Sequence, residues 1–153
     1  QRQMCIRDRN YGVRGKRYFA VSFPNVAGGY EIRRRVFKGC VPPKDVSLVK
    51  AEGSPSDVCS VFEGFMDFLS AATLGLETGD CLVLNSVANV EKAMRYLDGY
   101  GRIDCYLDRD EAGRRTLETL KERYGGRVCD CSALYDGCKD LNEYLQLTTQ
   151  KEQ

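Results

Sequence analysis

The chain of 153 residues contains no histidine, and that absence removes the mixed cysteine–histidine zinc sites. No run approaches the roughly 20 apolar residues that cross a bilayer. No charged start followed by an apolar core reads as a secretory signal. The expectation is a cytoplasmic protein with no membrane partner. Low-complexity segments are lacking too, and the length allows one domain of ordinary size plus a small appendage. There are eight cysteines. Cys59, Cys81, Cys105 and Cys129 lie singly within apolar, strand-like runs, where buried reduced thiols are expected in a cytosolic protein. Cys129-x-Cys131 followed by Cys138 departs from standard zinc spacing, so these thiols read as structural.

The net charge of +1 hides a division. Residues 1–50 carry twelve Lys/Arg against three Asp/Glu, or +9, and the remainder carries eleven against nineteen, or −8. A basic first third on an acidic body suggests a polyanion held by one part and metal chemistry done by the other.

Gln1 to Arg9 has no apolar period and reads as a disordered or foreign lead-in. Residues 10–52 read as a basic β-hairpin subdomain. In it, Arg17–Phe23 and Tyr30–Phe37 are strands around the Pro24–Gly29 turn. On a continuous second strand Arg33 and Arg35 would share a face with Phe37, with Arg34 opposite. Lys38–Lys44 reads as a loop and Asp45–Ala51 as one more strand. Arg33, Arg34, Arg35 and Lys38 are the expected nucleic-acid-binding bases. Tyr18, Phe19, Phe23, Tyr30 and Phe37 are interleaved with them, either stacking on bases or forming the hairpin's core face.

Glu52–Asp57 is a polar boundary, and residues 53–150 form the second domain. Apolar strands at 58–62, 81–84, 103–107 and 128–134 alternate with amphipathic helical patterns. These are marked by Phe65/Leu69/Ala72/Leu76, Val90/Ala93/Met94/Leu97, Leu117/Leu120/Tyr124 and Leu141/Tyr144/Leu145. Such alternation predicts an α/β fold, a mainly parallel four-stranded sheet with helices on both faces.

Acids recur where these strands end. Glu63 follows the first, Asp108 and Asp110 follow the third with Gly113 behind them, and Asp140 follows the fourth. Open α/β sheets bind ligands at that edge, and paired carboxylates there suit a hard cation such as Mg2+. Gly113 lets a phosphate or a neighbouring backbone approach the turn. Strand order 2-1-3-4 would bring Glu63 to the Asp pair. Each acid also has a plain reading. Acids in a helix's first turn offset its dipole, and Asp140 with Glu143 makes a capping box.

Glu63-Gly64, Asp108-x-Asp110-x-x-Gly113 and Lys139-Asp140-x-Asn142, in that order, resemble the Toprim domain of bacterial replicative primases and their mobile-element relatives. The segment from Phe23-Pro-Asn-x-x-Gly-Gly-Tyr30 to Phe37-Lys-Gly39 resembles the basic stretch that precedes Toprim in such proteins. The resemblance implies a Rossmann-like Toprim fold, with Glu63 as acid–base residue and Asp108 and Asp110 as metal ligands. Asp140 would support a second metal, the ions being Mg2+ or Mn2+. It also implies nucleotidyl transfer from nucleoside triphosphates on a single-stranded DNA template, in replication or mobile-element transfer. A helicase or a separate zinc-binding module would be further partners. Nothing here matches that zinc module, so the chain reads as the catalytic part of a longer protein. The same acids serve a Toprim nuclease, in which water attacks, or a non-catalytic nucleic-acid-binding module. A receiver-like regulator ranks last, because the first strand ends in the single acid Glu63.

Overall fold

The computed structural model describes residues 7–13, 16–53 and 55–151. The strands β1 (Arg7–Val13), β2 (Lys16–Pro24), β3 (Tyr30–Arg34) and β4 (Phe37–Val41) form an antiparallel sheet in chain order. Of the expected lead-in, residues 1–6 lie outside the described residues. Arg7–Arg9 belong to β1 and pair with Ala20–Ser22, because strand pairing uses backbone groups that no apolar period announces.

The β2–β3 hairpin is turned as expected. The Asn25 carboxamide oxygen accepts from the backbone of Ala27 at 3.0 Å and Gly29 at 2.9 Å, a side-chain mimic of a backbone turn. The second arm differs from expectation. The run Tyr30–Phe37 is broken by a two-residue turn at Arg35–Val36, and the residues from Lys38 read as a loop complete β4. Alternating charged and apolar residues look the same along one long strand or two short ones. Arg33 is now paired directly with Lys38 and Arg34 with Phe37, so Arg33 and Lys38 share a face and Arg35 sits in the turn.

The second sheet contains β5 (Ser47–Val49), β6 (Val58–Phe62), β7 (Asp80–Val83), β8 (Arg102–Tyr106) and β9 (Val128–Asp130), in the order β5-β7-β6-β8-β9. The four strands β7-β6-β8-β9 are parallel and reproduce the expected 2-1-3-4 order. β5 adds an antiparallel edge to β7, so residues just ahead of the polar boundary complete the α/β sheet. Helices α1 (Phe65–Leu74), α2 (Val90–Leu97), α3 (Glu111–Tyr124) and α4 (Leu141–Lys151) cover it. Alternate strand residues feed two cores. One holds Val61, Leu82, Leu97, Ile103 and Leu120, the other Phe62, Phe68, Val83, Tyr106, Tyr135 and Leu141.

Two elements depart from the sequence pattern. Pairing of the last strand stops at Asp130, where Ser132 N donates to the Asp130 carboxylate at 2.9 Å and a 3-10 turn, Ser132–Tyr135, begins. The buried apolar face of α1 is Phe65, Phe68 and Ala71, accompanied by Asp67 and Ser70, while Ala72 is exposed. Of the expected stripe, Phe65 is buried and Leu69 and Leu76 pack against the same core, so α1 buries a wider face than expected, and Phe23 of β2 packs on it. Its ring lies 5.5 Å from that of Phe65 and 5.7 Å from that of Phe68, and it is 1% exposed. The first sheet is thereby docked into the core of the second. Of the other interleaved aromatics, Tyr30 is half-buried and Phe19 and Phe37 are exposed. The side chain of Tyr18 lies outside the described residues. Cys59, Cys81 and Cys105 are buried as expected, whereas Cys129 is exposed, because β9 is the edge strand. Among the described residues no helix is long and apolar enough to cross a membrane.

Candidate active site

β6 and β8 are parallel neighbours with Phe62 opposite Tyr106, so the loops that follow leave the same edge side by side. The Asp108 backbone N–H donates to the Glu63 carboxylate at 3.3 Å. The third loop, after β9, is drawn in by two bonds. Arg109 N donates to the Lys139 carbonyl at 2.7 Å, and the fully buried Tyr135 donates its hydroxyl to the Leu107 carbonyl at 2.7 Å. The Arg109 guanidinium also pairs with Asp136. Gly113 makes the β8–α3 turn possible, since a Cβ there would stand 1.9 Å from the Asp108 carbonyl oxygen. The close approach it permits is that of the chain's own backbone.

This arrangement crowds negative charge. Asp67, Asp108 and Asp140 each offer a carboxylate oxygen, all within 4.8 Å of one another. Asp67 is 7% exposed, and one of its oxygens accepts from the backbone of Asn142 at 3.2 Å. Burial, then Asp140 and Asp108, pushes its carboxyl up to about 7. Burial, then the charge of Asp108, pushes Glu63 up to about 7 as well. Asp108 is raised by burial, partly offset by Lys139, whose ammonium lies 3.1 Å from it and 3.7 Å from Asp110. Three hard oxygen donors crowded together, with Asp67 and Asp108 both held above the ordinary carboxylate range, fit a hard cation of the Mg2+ class, which takes oxygen ligands and keeps some of its water.

The structure places the expected residues unequally. Glu63, Asp108 and Asp140 converge. Asp140 also caps α4, accepting from Glu143 N at 2.7 Å, and Glu143 accepts back from Lys139 N. This carboxylate therefore caps the helix and also belongs to the three-oxygen group. Asp110 caps α3, its oxygen accepting from Gly113 N at 3.0 Å, and stands outside the three-oxygen group. Of the four bases, Arg33 and Lys38 line a cavity of about 210 Å³ with Glu63, Asp67, Asp108 and Lys139. Arg34 and Arg35 are not among its lining residues. Arg114 turns back to the Arg109 carbonyl at 3.0 Å and Arg115 pairs with Glu111.

A family model described as Toprim-like matches residues 60–145, more than half of the chain. The chain belongs to the Toprim-like family. A second model, a domain of unknown function, matches residues 2–42. Comparison with curated proteins gives no match. Among solved structures, the fold resembles the primase fragment of the bacteriophage T7 primase-helicase, with a TM-score of 0.65 and 20% identity over 94% of this chain and 63% of that one. It also resembles T7 primase domains in complex with the lagging-strand DNA polymerase, an RNA/DNA hybrid and dTTP. That match has a TM-score of 0.64 and 19% identity over 94% of this chain and 77% of that one. The E. coli primase catalytic core matches with a TM-score of 0.52 and 20% identity over 90% of this chain and 52% of that one. The chain thus spans about half to three quarters of these relatives, and the matches cover its β-sheet subdomain as well as the Toprim sheet.

Within this Toprim site, sequence reasoning missed Asp67. The signal was available, because Asp67 follows Glu63 by four residues, in the first turn of a helix that starts at the same sheet edge. The stripe of Phe65, Leu69, Ala72 and Leu76 obscures it, because that stripe taken alone puts Asp67 on the opposite side of the helix.

Proposed function

We propose that this Toprim chain is the catalytic part of a primase-like protein, joining nucleotides on a single-stranded DNA template. The observation that carries the proposal is the placement of Arg33 and Lys38, from the sheet preceding the Toprim unit, over the cavity lined by Glu63, Asp67 and Asp108. A polyanion held by one part is thereby presented to the other. The related T7 domains are bound to an RNA/DNA hybrid and dTTP, which supports a nucleic acid and a nucleotide as the ligands. A helicase and a separate zinc-binding module belong to the same proposal as partners.

In this reaction a 3′-hydroxyl attacks the innermost phosphorus of a nucleoside triphosphate. A phosphodiester forms and pyrophosphate leaves. Asp67, Asp108 and Asp140 would hold Mg2+ or Mn2+, which when bound offsets the charge that gathers on phosphoryl oxygens. Asp110 caps the helix that carries the loop and holds Lys139 on its other side. Glu63, with its carboxyl near 7, is poised to take the proton that the hydroxyl loses. Arg33 and Lys38 meet the phosphates. Positioning and electrostatics supply most of the acceleration in such transfers.

The test incubates the protein with single-stranded DNA, Mg2+ and labelled ribonucleoside triphosphates. Oligonucleotide products are expected from the wild type and are lost in Glu63→Gln and Asp108→Asn. Cleavage of the DNA without nucleotides would replace this reading by the nuclease one, and binding without either reaction would leave a non-catalytic module.

A further inference from the structure

Away from the Toprim acids, on the far strands of the same sheet, the tertiary structure assembles a second donor set of different chemistry. Asp104 of β8 is paired directly with Cys129 of β9 in the parallel register. Cys131 lies just past the end of β9, and its sulfur reaches the same group. One oxygen of Asp104 and the two sulfurs lie within 4.8 Å of one another. The Asp104 side chain is 4% exposed, an uncommon place for a carboxylate unless it is paired. Its one polar side-chain partner among the described hydrogen bonds is Arg102, whose Nε donates at 2.7 Å. Cys131 is held in position by its backbone N–H, which donates to the Cys105 carbonyl at 2.9 Å. Cys129 is exposed and leaves the group open to solvent on one side.

We propose that Asp104, Cys129 and Cys131 form a binding site for a thiophilic divalent ion of the zinc class. Two thiolates and one carboxylate are three of the four ligands that tetrahedral Zn2+ takes, and water from the open side supplies the fourth. On binding, two sulfur–metal bonds form and the two thiol protons pass to solvent. Arg102 then acts as the hydrogen-bonding support that a ligating carboxylate ordinarily has on its other oxygen. The donor set separates this site from the cluster of Asp67, Asp108 and Asp140, because sulfur selects softer ions and an all-oxygen set selects Mg2+ or Mn2+. The ion would cross-link β8 to the three-residue edge strand β9, from which the chain runs on to Lys139 and Asp140. This inference is independent of the reaction proposed above. The Cys-x-Cys spacing is not a standard zinc motif, and its third member comes from the neighbouring strand, twenty-five residues upstream of Cys129.

The experiment titrates the reduced chain with Co2+ in excess Mg2+, which fills the hard site. One equivalent is expected to bind with thiolate-to-cobalt charge-transfer absorption and the strong visible bands of a tetrahedral ion. That signal disappears in Cys129→Ser and Cys131→Ser and weakens by about tenfold or more in Asp104→Asn, by comparison with the cost of losing even a supporting residue. It persists in Cys138→Ser and in Asp108→Asn. A second readout needs no variant. Wild-type protein alkylated with and without Zn2+ is digested, and Cys129 and Cys131 are modified at least tenfold more slowly with Zn2+ while Cys40 is unaffected. Equal alkylation of Cys129 and Cys131 in both samples, or a charge-transfer band that survives the Cys129→Ser/Cys131→Ser double substitution, overturns the proposal.

Discussion

Removing the Asp67 charge should stabilise the metal-free protein at alkaline pH and weaken its response to Mg2+. The carboxyl is pushed from an ordinary 3.8 up to about 7, so the folded state holds its proton more tightly than the unfolded chain. Stability is therefore lost as pH rises from about 4 through about 7, and the whole penalty is in force above that. Three pH units at about 1.4 kcal/mol each set a ceiling of about 4 kcal/mol. Asp140 and Asp108 share the same crowding and relax together, so about 2 kcal/mol is the working figure for Asp67→Asn. The amide retains an oxygen for the Asn142 N–H. For a chain of this size that amounts to about 4–8 °C in melting temperature at pH 8, shrinking to about 1 °C or less at pH 4. Mg2+ raises the wild-type melting temperature by binding the folded state and raises the variant's much less, having lost a ligand. Differential scanning fluorimetry at both pH values, with and without Mg2+, reads all four numbers. A variant less stable than wild type at pH 8 without metal would refute the argument, because it would make Asp67 a structural hydrogen-bond acceptor rather than a repelled charge.

Gly113→Ala drives a methyl into the Asp108 carbonyl and should cost about 2 kcal/mol or more while misplacing the site. Chemical denaturation and the nucleotidyl-transfer assay check the two effects. Asp110→Ala removes the α3 cap and should cost about 1 kcal/mol in metal-free protein, whereas Asp110→Asn should cost little. A large metal-dependent difference for Asp110→Asn would make this carboxylate a ligand. Phe23→Ala empties the junction of the two sheets and should cost about 3–5 kcal/mol in urea unfolding, with the first sheet losing amide-exchange protection before the second. Replacing Arg33 and Lys38 by alanine should flatten the salt dependence of single-stranded DNA binding by about 0.7 in logarithmic slope per lost phosphate. The same replacements at Arg34 and Arg35 should flatten it less.

The strand–helix alternation and the acids at the carboxyl edge were legible in the sequence because each rests on local pattern, whereas the 2-1-3-4 order entered only as the condition for Glu63 to meet the Asp pair. Apolar runs of strand length, turn residues and the position of an acid after a run are all carried by neighbours in the chain. What the tertiary structure alone decided are the relations between distant segments. Tetrapeptide-scale signals did not separate one strand at Tyr30–Phe37 from two strands about Arg35–Val36, and that turn determines which cations face the acids. Phe23, more than forty residues upstream of Phe65, packs on Phe65 and Phe68, and the Asn142 N–H, seventy-five residues after Asp67, donates to that carboxylate. Asp110 reads as a partner of Asp108, and the structure shows that one of its oxygens also caps α3, a local role that a helix N-terminus offers to an acid at that position. Cys129 and Cys131 read as plain strand residues until β8 sets Asp104 beside them. Local pattern specifies which elements form, because propensity and burial act over a few residues. Which side chains meet is specified by packing and strand register, and those act across the whole chain.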